Sequence, residues 1–195
     1  MNKAGNTLIV MAKMPSAGRV KTRLARDIGT AEALRFYRHQ LAQTCRILAH
    51  DSRWQLVLSL APDHVRWGRQ LPVDALIGQG GGGLGARMQG LFNHVGQGPL
   101  IIVGADIPAI TPMMIGTAFR QLKGYDFTFG PATDGGFWLV GQRRRPRVYE
   151  AFANVRWSST HALKDTLKNI PAARIAYVAE LNDIDTGADL AVRFP

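Results

Sequence analysis

The sequence predicts an α/β sandwich built on a mostly parallel sheet, and three observations carry that prediction. Apolar runs of strand length alternate with segments of helical periodicity along the chain. Two of the runs, Leu8, Ile9, Val10, Met11 and Pro99–Val103, contain no charged residue, as suits strands covered on both faces. The polar, glycine-rich stretches fall where such strands end, which gathers them on one rim of the sheet.

Composition narrows the class further. With 195 residues, 46% hydrophobic and 19% charged, the chain suits one soluble domain with a real core, residues 1–195. No apolar run approaches membrane-spanning length and no signal peptide is evident, so the expected location is cytoplasmic. The single cysteine, Cys45, lies in a helical pattern and reads as a buried, inert thiol. A formal net charge of +10 selects anionic partners. The cations are dispersed, the densest run (Arg143, Arg144, Arg145, Arg147) is broken by Pro146, and no stacking-aromatic motif of an RNA-binding module is present. A basic surface draws in a polyanionic small molecule such as a nucleotide equally well, so the charge names no partner.

The first strand hands the chain to a loop carrying Lys13, Pro15, Gly18, Arg19, Lys21 and Arg23. Loops that leave the carboxyl end of a parallel strand are where ligands bind, and glycine with four cations complements a diphosphate. A solvated basic loop satisfies the same pattern. Thr30 then reads as an N-cap, with Ala33, Leu34, Tyr37, Leu41, Cys45 and Leu48 at helical spacing to about His50. Trp54–Leu60 is a second strand, Pro62–Leu71 a short helix or turn, and Val73–Ile77 a third strand. Six glycines lie between Gly78 and Arg87, followed by helical spacing from Leu84 to Val95. So many glycines imply close backbone approach or unusual dihedrals, or else a flexible surface linker.

After Pro99–Val103 comes Gly104, Ala105, Asp106, Ile107, Pro108, which points Asp106 from the sheet edge into the crevice. Thr111 is the better cap for a helix over Pro112–Leu122, leaving Asp106 for chemistry. Tyr125–Gly130 and Phe137–Val140 are strands joined by a tight turn containing Asp134, Gly135 and Gly136, where an aspartate serves equally well as a turn former. A short helix over Val148–Phe152, another from His161 to about Lys168, a strand over Ile175–Val178 and a short terminal helix complete the chain. Of 14 acidic residues, three fall among the eight positions 182–189, a crowding that calls for a nearby cation.

Two distant carboxylates, Asp106 and Asp185, form a candidate site for Mg²⁺ or Mn²⁺. The scattered histidines lack an HxxxH pair, which argues against zinc, and there is no GxSxG nucleophile motif. The first loop, AKMPSAGRVKTR, lacks GxGxxG, and GxxxxGK[ST] is absent from the chain, so dinucleotide dehydrogenases and P-loop NTPases lose standing. What remains is transfer chemistry at phosphate, with a metal and positioning cations.

The series AKMPSAGRVKTRL, GQGGGGLGARM, GADIP, GPATDGGFWLVG, WSSTHALKDT and DIDTGADL resembles the bacterial GT-A-like glycosyltransferase family known as radical-SAM/selenodomain-associated or arsenosugar-biosynthesis transferases. That family is related to 2-phospho-lactate guanylyltransferase within the nucleotide-diphospho-sugar transferase superfamily. The resemblance implies a Rossmann-like three-layer sandwich, the GT-A fold, and a nucleotide or nucleotide-sugar donor. It implies phosphate contacts by Ala12, Lys13, Gly18, Arg19, Lys21 and Arg23. Gly80, Gly81 and Gly82 would lie against base and ribose with Arg87 in support, and Asp106 and Asp185 would hold Mg²⁺ or Mn²⁺. Lys21, Asp106 and Asp134 are the implied catalytic groups, with Trp157 and Ser158 beside Asp134 on the side of an unidentified acceptor. The chain has Gly83 where the family commonly carries the aspartate of GDLG. Glycosyl transfer is the reaction expected first; nucleotidyl transfer with release of pyrophosphate, and anion or RNA binding without catalysis, are the alternatives.

Overall fold

The computed structural model describes residues 5–63 and 70–193. The chain opens with β1 (Thr7–Lys13), then α1 (Thr22–Ile28) and α2 (Thr30–Ala49). Next come β2 (Gln55–Ala61), β3 (Ala75–Gly78), α3 (Leu84–His94), β4 (Leu100–Gly104) and α4 (Pro112–Gln121). A hairpin of β5 (Phe127–Pro131) and β6 (Phe137–Gln142) precedes α5 (Ala162–Lys168), β7 (Ile175–Tyr177) and α6 (Gly187–Arg193). Among the described residues the strands form one sheet in the order β3-β2-β1-β4-β6-β5-β7. Only β6 runs against its neighbours, β4 and β5; the other pairings are parallel.

Alternation along each strand divides the core into two layers. Leu8, Val10, Leu56, Leu58, Ile101 and Val103 face α2 and α4, meeting Leu41, Cys45, Leu48, Ile115 and Phe119. Ile9, Val57, Leu100, Ile102, Phe129 and Val140 face α3, meeting Met88, Leu91 and Phe92, with α5 contributing Leu163 and Leu167 at the margin. The result is a three-layer α/β sandwich with a Rossmann-like, mostly parallel sheet, as the apolar runs require. Cys45 is fully buried and desolvation pushes its thiol up to about 12, so it stays protonated.

Three local expectations are corrected. The basic segment does not remain a loop to its end, because α1 begins at Thr22; a seven-residue helix is too short to leave a periodic signal. Gly29, not Thr30, caps α2, its φ of 88° turning the chain sharply between α1 and α2. Val148–Phe152 is irregular rather than helical, held by Gln89 and Gln142, whose amides bond the backbone of Tyr149 and Ala151. The expected helix over Pro62–Leu71 lies largely outside the described residues.

The order of strands fixes where a ligand can enter. From β1 the chain proceeds outward through β2 to β3, then crosses back so that β4 lies on the other side of β1. Loops leaving β1 and β4 therefore diverge to opposite faces and open a crevice at the carboxyl ends of those strands.

Candidate active site

Lys21 enters this crevice from the β1 side. It is the N-cap of α1 with φ 47° and ψ 46°, a left-handed conformation that costs a non-glycine residue about 1–2 kcal/mol. That backbone turns the side chain inward, where it is only 4% exposed. Its Nζ donates to Asp106 Oδ2 at 2.8 Å and to Asp185 Oδ1 at 2.7 Å. Burial opposes the ammonium, but the two carboxylates outweigh it and hold its pKa above the usual lysine value.

Asp106 follows β4 across the same crevice. Thr111 Oγ1 accepts the Met114 N–H and so caps α4, which leaves the Asp106 carboxylate to the site. Asp185 arrives from the chain's end on an extended segment, Ile184 being buried while Asp183 and Asp185 stand on either side of it. This segment is anchored twice. Asp189 Oδ2 accepts the backbone N–H groups of Asp185 and Thr186 at 3.0 and 2.8 Å, and Asp27 Oδ2 accepts that of Gly187 at 2.7 Å. Asp189 thus serves as a cap, and hydrogen bonding, first from the Thr186 hydroxyl, holds its pKa below the usual range.

Asp106, Asp183 and Asp185 each offer one carboxylate oxygen, and the three oxygens lie within 4.8 Å of one another. Burial first, then the charge of Asp185, pushes Asp183 up to about 6; Asp106 and Asp134 add to this and Lys21 opposes it. A cluster of hard oxygen donors carrying that much mutual repulsion fits Mg²⁺ or Mn²⁺. Asp183 was not among the residues singled out from sequence. Its signal was there: spacing of two in an extended DID segment puts both aspartates on one face.

The remaining predicted residues fall into two neighbouring groups. On the β1 side, Lys13 is exposed at the strand end, its backbone N–H and C=O both engaged by the buried Tyr37 hydroxyl. Burial, with the charge of Asp106, keeps that phenol protonated. Gly18 (φ 72°) and Arg19 lie in the exposed turn that follows, and Arg23, with a side chain 71% exposed, reaches Asp185 Oδ2 at 3.5 Å. The glycine loop lies beside β1 because Gln79, buried at its start, donates to the carbonyls of Ala12 at 2.8 Å and Ser59 at 3.1 Å. Arg87 braces that loop, its Nε donating to Gly82 O and its Nη1 to Gln79 Oε1. Gly80 and Gly82 have φ of 79° and 84°, and Gly81 has open space where a Cβ would stand. Gln79 is a second residue missed from sequence, a lone amide among glycines whose role appears only once β1 and β2 are side by side.

On the β4 side, Asp134 lies in the β5–β6 turn, its Oδ1 accepting the Gly136 N–H at 2.9 Å, so the turn-forming role is real. It also borders a cleft of about 270 Å³ that reaches Asp106 and Asp183 and is walled by Phe137, Trp157 and Ser158. Asp106 thus belongs both to the carboxylate cluster and to the cleft beside it.

The sequence family described as "Uncharacterized protein conserved in bacteria (DUF2064)" matches residues 38–159. No curated protein matches the sequence. Among solved structures, a protein of Desulfovibrio desulfuricans G20 bearing the provisional name nucleotide-diphospho-sugar transferase is similar with a TM-score of 0.89 at 26% identity, covering 98% of this chain and 87% of its own. The inositol-1-phosphate CTP transferase of T. maritima shares the fold with a TM-score of 0.59 at 14% identity, over 96% of this chain and 91% of its own. Rv0371c of Mycobacterium tuberculosis H37Rv, in complex with manganese, does so with a TM-score of 0.53 at 16% identity, over 97% of each chain.

Proposed function

We propose that this chain, which belongs to the DUF2064 family, is a metal-dependent transferase that passes a glycosyl group from a nucleotide sugar to a hydroxyl acceptor. One observation carries the reading: Lys21, from the loop after β1, bridges two of three clustered carboxylates at the point where the sheet changes direction. The name of the Desulfovibrio protein supports a nucleotide-sugar donor, and the manganese complex of the mycobacterial protein supports a divalent ion on this fold.

In this reading the donor's nucleotide lies along the glycine loop, with Lys13, Arg19 and Arg23 offsetting its diphosphate. A divalent ion held by Asp106, Asp183 and Asp185 would supply charge stabilisation for the departing diphosphate. Lys21 keeps those carboxylates apart from one another's repulsion and presents a buried positive charge at the same place. Asp134 takes the proton of the acceptor hydroxyl. The hydroxyl oxygen then bonds to the anomeric carbon while the bond from that carbon to the phosphate oxygen breaks, and the electron pair leaves with the nucleoside diphosphate.

Thermal unfolding of the full chain with a panel of nucleotides and sugar nucleotides, with and without Mn²⁺, tests the reading. A rise in Tm that needs both ligand and Mn²⁺ supports it, since a ligand held only by the native state stabilises that state. No rise with any member of the panel overturns it. The likeness to a CTP transferase favours one rival, nucleotidyl transfer. Release of nucleoside diphosphate from a sugar nucleotide supports glycosyl transfer; release of pyrophosphate from a nucleoside triphosphate decides for the rival.

A further inference from the structure

The cleft beside the carboxylates constrains what the acceptor can be, an inference that rests on the transferase reading above. Its wall is apolar, formed by Met88 of α3, Ile102 of β4, Phe137 and Val140 of β6, and Trp157. Leu84, the first residue of α3, stands at its edge 45% exposed. The aromatic part of the wall is fixed: Trp157 meets Phe137 edge-on at 6.1 Å and leans on Phe152 at 6.2 Å. Gly85 lets α3 approach this wall, for a Cβ there would stand 2.6 Å from the Phe152 carbonyl oxygen.

The charged and hydroxyl-bearing residues among its lining are Asp106, Asp134, Asp183, Ser158 and Ser159. Among its described lining residues there is no lysine, arginine or histidine, in a chain that carries 24 lysines and arginines. Neighbouring cations are engaged elsewhere. Lys21 is held by Asp106 and Asp185, Arg156 by Asp165, and Arg87 by the glycine loop. A divalent ion on the three clustered carboxylates, with Lys21 beside them, brings that group only to neutrality. The donor's diphosphate then claims what attraction it offers. A phosphate or carboxylate on the acceptor would enter a partly desolvated site facing Asp134 with no counter-charge, an arrangement heavily penalised away from water.

We propose that the acceptor is an uncharged, ring-sized hydroxyl compound that lays an apolar face on Phe137 and Trp157 and turns its hydroxyl toward Asp134. The volume of about 270 Å³ is at the small end for ligand sites, matching one ring rather than an extended chain. Both a carbohydrate or cyclitol and a phenol have this chemistry.

Saturation-transfer NMR on the full chain, in the presence of diamagnetic Mg²⁺, tests the proposal with two matched pairs of probes. These are myo-inositol against inositol 1-phosphate, and 4-methylphenol against phenyl phosphate. The neutral member of at least one pair should bind about tenfold more tightly than its phosphorylated partner, and which pair responds identifies the source. Trp157→Leu should weaken the neutral probe about tenfold. Leu84→Lys, at an exposed position that leaves the core untouched, should reverse the preference by supplying the missing cation. Phosphorylated probes that bind as tightly as the neutral ones, or silence from the whole panel, overturn the proposal. Nucleotide binding is measured separately, so its loss with neutral probes still bound would remove the donor reading and leave the cleft's selectivity standing.

Discussion

Lys21 Nζ stands 2.7 Å from Oδ1 of Asp185, a residue 164 positions further along the chain, and the same ammonium reaches Asp106. One buried cation therefore ties together the loop after β1, the loop after β4 and the chain's last extended segment. Replacing it tests both stability and chemistry. Lys21→Met should cost about 2 kcal/mol of metal-free stability, because it strips two carboxylates of a charge-assisted partner. Mn²⁺ should then bind about tenfold more tightly, since it no longer competes with the ammonium for Asp106 and Asp185, while transfer falls about 100-fold or more. Urea unfolding, calorimetric titration and product release read the three effects; unchanged Mn²⁺ affinity would show that Lys21 and the ion do not share ligands.

Asp183 gives the site a pH signature. Its carboxyl titrates at about 6, whereas an unfolded aspartate does so at about 4. Between those values the folded chain keeps a proton that the unfolded chain has released, so metal-free stability falls as pH rises through this window and then levels off. Asp183→Asn should be more stable than the wild type by about 1 kcal/mol at pH 7, after allowing for solvent screening, and indistinguishable at pH 4. Unfolding in the presence of EDTA at the two pH values checks this. Wild-type Mn²⁺ affinity should weaken as pH falls below about 6, because ion and proton compete for the same oxygens.

Arg156 holds the strand of chain that carries Trp157. Its Nε and Nη2 donate to the two oxygens of Asp165 at 2.7 and 2.9 Å, and these bonds hold the Asp165 pKa well below the usual carboxylate range. Arg156→Met should loosen the aromatic wall, raising KM for the acceptor about tenfold while nucleotide affinity stays unchanged. A matching rise in nucleotide Kd would mean that the loop serves both substrates.

Two glycines should respond differently to a single added methyl. Gly85→Ala drives a Cβ to 2.6 Å from the Phe152 carbonyl oxygen and should destabilise the fold by about 2 kcal/mol. Gly80→Ala meets open space but must adopt φ 79°, and should cost only about 1 kcal/mol. Equilibrium urea unfolding separates the two.

Strand and helix positions were readable because burial on two faces leaves a local mark: Leu8–Met11 and Leu100–Val103 read as buried central strands, and both are. Thr111 was legible as a cap for the same reason, since the residues that decide it are adjacent. Where the deciding partner is far away, the sequence spoke less clearly. The irregular course of 148–152 depends on Gln89, whose amide oxygen accepts the N–H of Ala151, 62 positions further along the chain.

By itself, then, the amino-acid order determined the layered α/β architecture, the sheet edge at which the polar loops gather and the carboxylate candidates Asp106 and Asp185, all of which follow from patterns within a few residues. Only the tertiary structure decided that Lys21 spends its charge on those carboxylates, that Asp183 joins them while Asp189 caps a turn, and that Gln79 ties the glycine loop to β1. The physical reason is that electrostatic partnership depends on distance through space, and residues separated by most of the chain acquire a distance only when the sheet brings their strand ends together.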